Sequence, residues 1–159
     1  DNAATDAILI FMAYKLLENL GLKNMVVKIN SIGDASCRPQ YLKALKDFYR
    51  NRGKKVCNKC KRRLKTNILR LLDCEEQNCR DLGKDVPQML DFLDEECKTH
   101  FKNTLEFLDE IKIPYLLEPR LVRGLDYYTR TVLKFGRKKK KEKKSPDGHF
   151  AAGDDMTNL

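Results

Sequence analysis

The sequence predicts an α+β fold in which a sheet-forming part is interrupted by a long, mostly helical insertion. Three observations carry this expectation. A helical pattern followed by a β-branched run opens the chain, apolar residues at helical spacing dominate residues 38–113, and extended patterns return after Pro114. The 159 residues suffice for one ordinary domain or two small ones sharing a junction, and 42% hydrophobic residues can supply a core.

In residues 6–20, Ile8, Phe11, Met12, Leu16 and Leu20 fall near helical spacing, with Thr5 or Asp6 as cap and Gly21 as stop. Residues 25–32, Met-Val-Val-Lys-Ile-Asn-Ser-Ile, are rich in β-branched side chains and lie between Gly21 and Gly33, which predicts a strand leading into a turn at Gly33-Asp34. From Arg38 onward Tyr41, Leu45, Phe48 and Tyr49 recur at helical spacing, and the pattern fades near Gly53. A domain junction is therefore expected at residues 34–38. Residues 53–80 are basic and poor in large apolar side chains apart from Ile68, Leu69, Leu71 and Leu72, so this segment needs a cross-link.

Pro87 suits the first turn of a helix, and Met89, Leu90, Leu93, Cys97, Phe101, Leu105, Leu108 and Ile111 form the stripe of one bent helix or of a pair. Pro114 ends that pattern. Residues 115–118 and 127–135 then read as strands, the second with Tyr128, Arg130, Val132 and Lys134 on one face. Residues 136–159 lack periodicity and read as a basic mobile loop or frayed end.

The longest apolar run, residues 7–14, is cut by Lys15, well short of the about 18 residues a membrane span needs. The chain starts at Asp1 with a helical pattern and no targeting segment, which reads as a piece of a longer, cytoplasmic protein. The net charge is +9, of which a local +6 comes from Arg137, Lys138 to Lys141, Lys143 and Lys144 against Glu142. Such basicity suits a polyanionic partner, and a solvated charged tail equally.

Six unevenly spaced cysteines without an export signal favour reduced thiols or a metal over a disulfide framework. Cys57-x2-Cys60 and Cys74-x4-Cys79, thirteen residues apart, offer four soft ligands suited to tetrahedral structural zinc, with free thiols as the alternative. Cys37 and Cys97 read as small buried residues, and His100 as a surface or boundary residue. Lys54, Lys55, Lys59, Lys61, Arg62, Arg63 and Lys65 surround the first cysteine pair, so a metal knuckle here would present positive charge to RNA.

The segment Leu121-Val-Arg-Gly-Leu-Asp-Tyr-Tyr128 packs a guanidinium, a permissive backbone and two phenols at the mouth of a strand. An arginine fork can grip two phosphate oxygens and offset charge at a reacting phosphorus, while a phenol can bond a ring nitrogen. By residue types alone, a strand start with an ordinary ion pair and two core tyrosines explains the segment as well.

What decides between these is a resemblance. Residues 121–132, Leu-Val-Arg-Gly-Leu-Asp-Tyr-Tyr-Thr-Arg-Thr-Val, are similar to the signature of histidyl-tRNA synthetases. Ile29-Asn-Ser-Ile-Gly33, Cys37-Arg-Pro, Arg62-Arg-Leu-Lys-Thr-Asn67, Leu69-Arg-Leu-Leu-Asp-Cys74 and Leu93-Asp-Glu-Glu-Cys97 resemble the family's intervening segments in order, so the likeness spans residues 1–135.

The resemblance implies part of a class II synthetase antiparallel sheet with a flanking helix. Residues 1–37 and 114–135 would belong to the catalytic domain and 38–113 to a helical insertion domain lying near the tRNA acceptor stem, with 136–159 outside both. It implies ATP with magnesium, histidine and tRNA(His) as substrates. Arg123 would stabilise the α-phosphate, Tyr128 would contact the histidine imidazole, and Tyr127 and Leu125 would line that pocket; Asp126 receives no role.

The chain departs from the family at Leu133-Lys134, where Phe-Glu is usual, and no Gly-Gly-Arg-Tyr-Asp follows. The first class motif, through which the family dimerises, is also missing, as are the two ATP-binding motifs and the anticodon-binding domain, so this stretch alone is expected to be inactive in aminoacylation. Two alternatives stand beside this reading: a synthetase-like regulatory subunit of ATP phosphoribosyltransferase, and a basic zinc-containing RNA-binding module.

Overall fold

The structure, a computed structural model, describes residues 2–123 and 128–138, with Lys54 described by its backbone alone. Leu125, Asp126 and Tyr127, and the basic run from residue 139 onward, lie outside the described residues. In chain order the regular elements are α1 (Ala3–Asn19), β1 (Met25–Ser31), α2 (Arg38–Arg50), α3 (Asn58–Thr66), α4 (Gln77–Leu82), α5 (Glu95–Glu110), β2 (Tyr115–Leu117) and β3 (Thr131–Arg137), with short 3-10 turns between α2 and α5.

The three strands form one sheet in the order β2-β1-β3. β1 and β2 are parallel, with Val27, Lys28 and Ile29 opposite Tyr115, Leu116 and Leu117. β3 runs against β1: the Ile32 amide donates to the Arg130 carbonyl at one end, and the Lys138 amide to the Asn24 carbonyl at the other. The sheet is thus mixed where an antiparallel one was expected. Its parallel pair arises because β1 and β2 are joined by the whole helical excursion, a crossover long enough to restart in the same direction. The central strand is buried at six of its seven residues, as a strand flanked on both edges requires.

The chain divides into two compact units. Of the described residues, the first comprises 2–29, 95–118 and 133–138. In it α1 packs on α5, and the contact corrects the sequence reading of α1. Its buried residues are Ala3, Ala7 and Ile10, whereas Ile8, Met12, Leu16 and Leu20, the expected inward stripe, are exposed, as is Phe11 to a lesser degree. Both sets have helical spacing. The small stripe wins because alanines let two helix backbones approach closely.

The cap of α1 is Asn2, whose Oδ1 accepts from the Ala4 amide at 3.0 Å, rather than Thr5 or Asp6. Asp6 instead faces His100 of α5, with Oδ2 3.7 Å from Nε2, and His100 is buried rather than at the surface. The stripe of α5 is as expected from Cys97 through Phe101, Leu105 and Leu108, but the helix opens at Glu95 and not at Pro87; residues 89–92 make a separate 3-10 turn. Glu95 and Glu96 in the first turn favour that start by opposing the helix dipole. Lys112, left-handed at φ 55°, closes the end, with the Ile113 amide donating to the Leu108 carbonyl at 2.9 Å.

Of the described residues, the second unit comprises 30–94, 119–123 and 128–132. Its core is Tyr41, Leu45 and Tyr49 of α2 with Ile68, Leu69, Leu71 and Leu72, and Tyr41 packs on the Phe92 ring at 5.6 Å. At the tip of β1, Gly33 has φ 59°, and a Cβ there would collide with Met89 Cε and Cys37 Sγ, so only glycine fits. Cys37 and Cys97 are both buried, as expected. Among the described residues no helix is long and apolar enough to cross a membrane.

Candidate functional site

Two chemical features lie within the second unit. The first is the cysteine cluster. Cys57 caps α3, Cys60 follows one turn later, Cys74 leaves a turn closed by its amide on the Leu71 carbonyl, and Cys79 sits on α4. The four sulfurs lie within 4.8 Å of one another, with Cys57 and Cys74 3.9 Å apart. Tetrahedral zinc with sulfur bonds near 2.3 Å separates its ligands by about 3.8 Å, so the spacing fits a single ion.

All four are free thiols, and Cys60, Cys74 and Cys79 are buried. The Cys60 amide facing Cys57 sulfur lowers that thiol to about 7, whereas burial raises Cys60 and Cys79. Cys57 is thus the thiol most readily ionised, and a cation would offset the burial that holds Cys60 and Cys79 protonated.

The second feature is a cleft of about 330 Å³ whose described lining includes Arg38, Lys46, Lys65 and Arg123 but no carboxylate. Leu42, Ile68 and Leu69 supply an apolar floor and Asn67 an amide. Apolar walls with converging charge are what a small anionic ligand or a nucleotide phosphate requires. Arg123 and Lys65, assigned to different tasks on sequence grounds, meet here.

The segment before Arg123 is held from within the unit. The buried Asn30 amide donates to the carbonyls of Pro119 and Leu121, both at 3.1 Å. Arg120 donates to the carbonyls of Arg80 and Leu72. Arg38 donates to the carbonyls of Ile32, Gly33 and Tyr128, tying the end of β1 to the lead-in of β3.

Tyr128 is 38% exposed and precedes β3 rather than lying within it. Arg130 has φ 56°, which breaks the alternation that would have put Tyr128, Arg130, Val132 and Lys134 on one face; its guanidinium pairs with Asp34 at 3.4 Å. Tyr128 is not among the residues lining the Arg123 cleft.

Of the basic residues around the first cysteine pair, Lys55, Lys59, Lys61, Arg62 and Lys65 are exposed. Arg63 instead donates to the Arg70 carbonyl at 2.8 Å. The side chain of Lys54, with Leu125 and Tyr127, falls outside the described residues. Arg38, Lys46, Asn67, Asn30 and Arg120 were not singled out from sequence. Their work is done by long-range bonds to carbonyls or by converging on one cleft, which spacing along the chain does not reveal.

No protein-family model matches the chain. It is 44% identical over 128 residues to the histidine–tRNA ligase of Caldicellulosiruptor bescii, covering 80% of this chain and 30% of that protein. It is 47% identical over 128 residues to that of Caldicellulosiruptor saccharolyticus, with the same coverage, and 46% over 127 residues to that of Thermodesulfovibrio yellowstonii. The fold is similar to the crystal structure of apo histidyl-tRNA synthetase from S. aureus, with a TM-score of 0.64 and 33% identity, over 85% of this chain and 32% of that one. The chain therefore spans about 30% of the length of the curated relatives it matches and, over that span, is similar to histidine–tRNA ligases.

Proposed function

We propose that this chain supplies part of the site at which histidine is activated with ATP and magnesium to histidyl-adenylate, and part of the surface that then receives tRNA(His). In the first step the histidine carboxylate attacks the α-phosphorus, the bond to the β-phosphate oxygen breaks, and pyrophosphate leaves. In the second the terminal hydroxyl of the tRNA attacks the histidyl carbonyl, loses its proton, and AMP leaves.

The observation that carries this reading is the cleft with Arg123 among four cations and no described carboxylate. A guanidinium placed there offsets the charge that builds on the α-phosphate as the fifth oxygen approaches. Tyr128 would bond the imidazole, with Tyr127 and Leu125 beside it. Residues 1–37 and 114–135 would be catalytic and residues 38–113 an insertion carrying the RNA contacts of Lys54, Lys55, Lys59, Lys61, Arg62, Arg63 and Lys65. Cys57, Cys60, Cys74 and Cys79 would hold a zinc ion, which when bound cross-links the weakly packed segment around α3 and α4. The setting would be the cytoplasm, and the chain alone would not aminoacylate.

The test is a chimera in which this chain replaces the matching segment of one of the relatives. Arg123→Ala should lower kcat for adenylate formation by about 10²–10³ with a small change in histidine KM. Tyr128→Phe should act mainly on histidine KM. Equal, small effects of both on KM alone would remove the assignments.

A further inference from the structure

Arg120 is an arginine held by carbonyls instead of carboxylates. Nη2 donates to the Leu72 carbonyl at 3.1 Å and Nη1 to the Arg80 carbonyl at 3.2 Å, two residues before Cys74 and one residue after Cys79. Gly83 lies flat on the guanidinium: a Cβ there would come within 2.9 Å of Cζ and 3.1 Å of Nε. That Nε is buried with no hydrogen-bond partner, and no carboxylate is paired with Arg120 among the described residues.

A half-buried guanidinium with its Nε enclosed gives up part of its hydration, and no described carboxylate pairs with it in return. Four thiolates around one divalent ion would carry about two net negative charges beside it. The shared neighbourhood is visible at Tyr49. Burial pushes its phenol up to about 12, Arg120 pulls it down, and Cys60, Cys79 and Cys74 push it up.

We propose that Arg120 is the counter-ion of a tetrathiolate metal centre at Cys57, Cys60, Cys74 and Cys79, an inference that rests on the zinc reading above. Its carbonyl bonds fasten the chain on both sides of the second cysteine pair, and its charge offsets the thiolates. Arg120 also starts the stretch that ends at Arg123, so filling the metal site steadies the approach to the cationic cleft. It is a positioning residue, not a catalytic one.

The test uses the whole reduced, metal-free chain titrated with Co(II) alone and then with Zn(II) in competition with a chromophoric chelator. Co(II) should produce the strong near-ultraviolet thiolate band and the visible bands of a tetrahedral centre. Arg120→Gln, which keeps a donor but no charge, should weaken zinc binding by about tenfold, and Arg120→Lys, which keeps the charge, by less than about threefold.

Equal weakening by Gln and Lys, or a Gln variant that binds as the parent does, would overturn the counter-ion role while leaving the metal site intact. A parent chain that gives no thiolate band would overturn the metal reading, and the counter-ion with it. Should the Gln variant stay unfolded in saturating zinc, recovery of folding by Lys supports the charge, and failure of both contradicts it.

Discussion

Gly33 sits where β1 turns toward α2, and its φ of 59° together with the crowding of Met89 and Cys37 leaves no room for a side chain. Gly33→Ala should cost about 2–4 kcal/mol, combining left-handed strain with overpacking, read from the urea midpoint at unchanged slope. An unchanged midpoint would mean that the turn is looser than described. The glycine was legible as a turn. The collision was not, because Met89 lies far along the chain. The same holds at the site. Arg123 was singled out through its neighbours in sequence, while Arg38, Asn30 and Arg120 donate to the distant carbonyls of Tyr128, Pro119 and Leu72 and leave no trace in local pattern.

The element whose reading changed most is α1. Periodicity identified a helix but could not choose between two stripes, since alanine and leucine at the same spacing both make an apolar face. The outcome predicts opposite effects from ordinary expectation. Ala7→Leu should destabilise by about 1–3 kcal/mol through overpacking, whereas Met12→Lys with Leu16→Lys should shift stability by less than about 1 kcal/mol. Thermal unfolding of the two variants decides, and the reverse order would restore the first reading.

In α2 the apolar spacing of Tyr41, Leu45 and Tyr49 was legible and is the buried face. Tyr49 is held neutral by burial, its ionisation moved from 10.0 to about 12. A raised folded value means that its contribution is complete below pH 10 and is lost as pH rises through about 12. Tyr49→Phe should therefore flatten the alkaline fall in stability between those values, followed by denaturant unfolding at each pH. An alkaline limb identical to the parent's would place the titration elsewhere.

At the scale of the molecule, the helix, strand, helical excursion and returning strands were all legible in order, because each has its own period. The parallel pairing of β1 with β2 was not, because strand direction depends on how the crossover returns and not on which residues alternate. Nor was the grouping of α5 with α1, which follows from the packing of two helices far apart in sequence. The four cysteines are the reverse case: two close pairs announced a site, and the fold brings all four together.

These residues are proposed to belong to a histidine-activating site. The most direct measurement of this is histidine-dependent exchange of labelled pyrophosphate into ATP by the chimera that carries this chain in a relative's framework. Exchange that requires histidine and falls by about 10²–10³ on Arg123→Ala is the predicted result. A folded chimera that exchanges no pyrophosphate, or that exchanges it equally well with Arg123 replaced by alanine, would contradict the account.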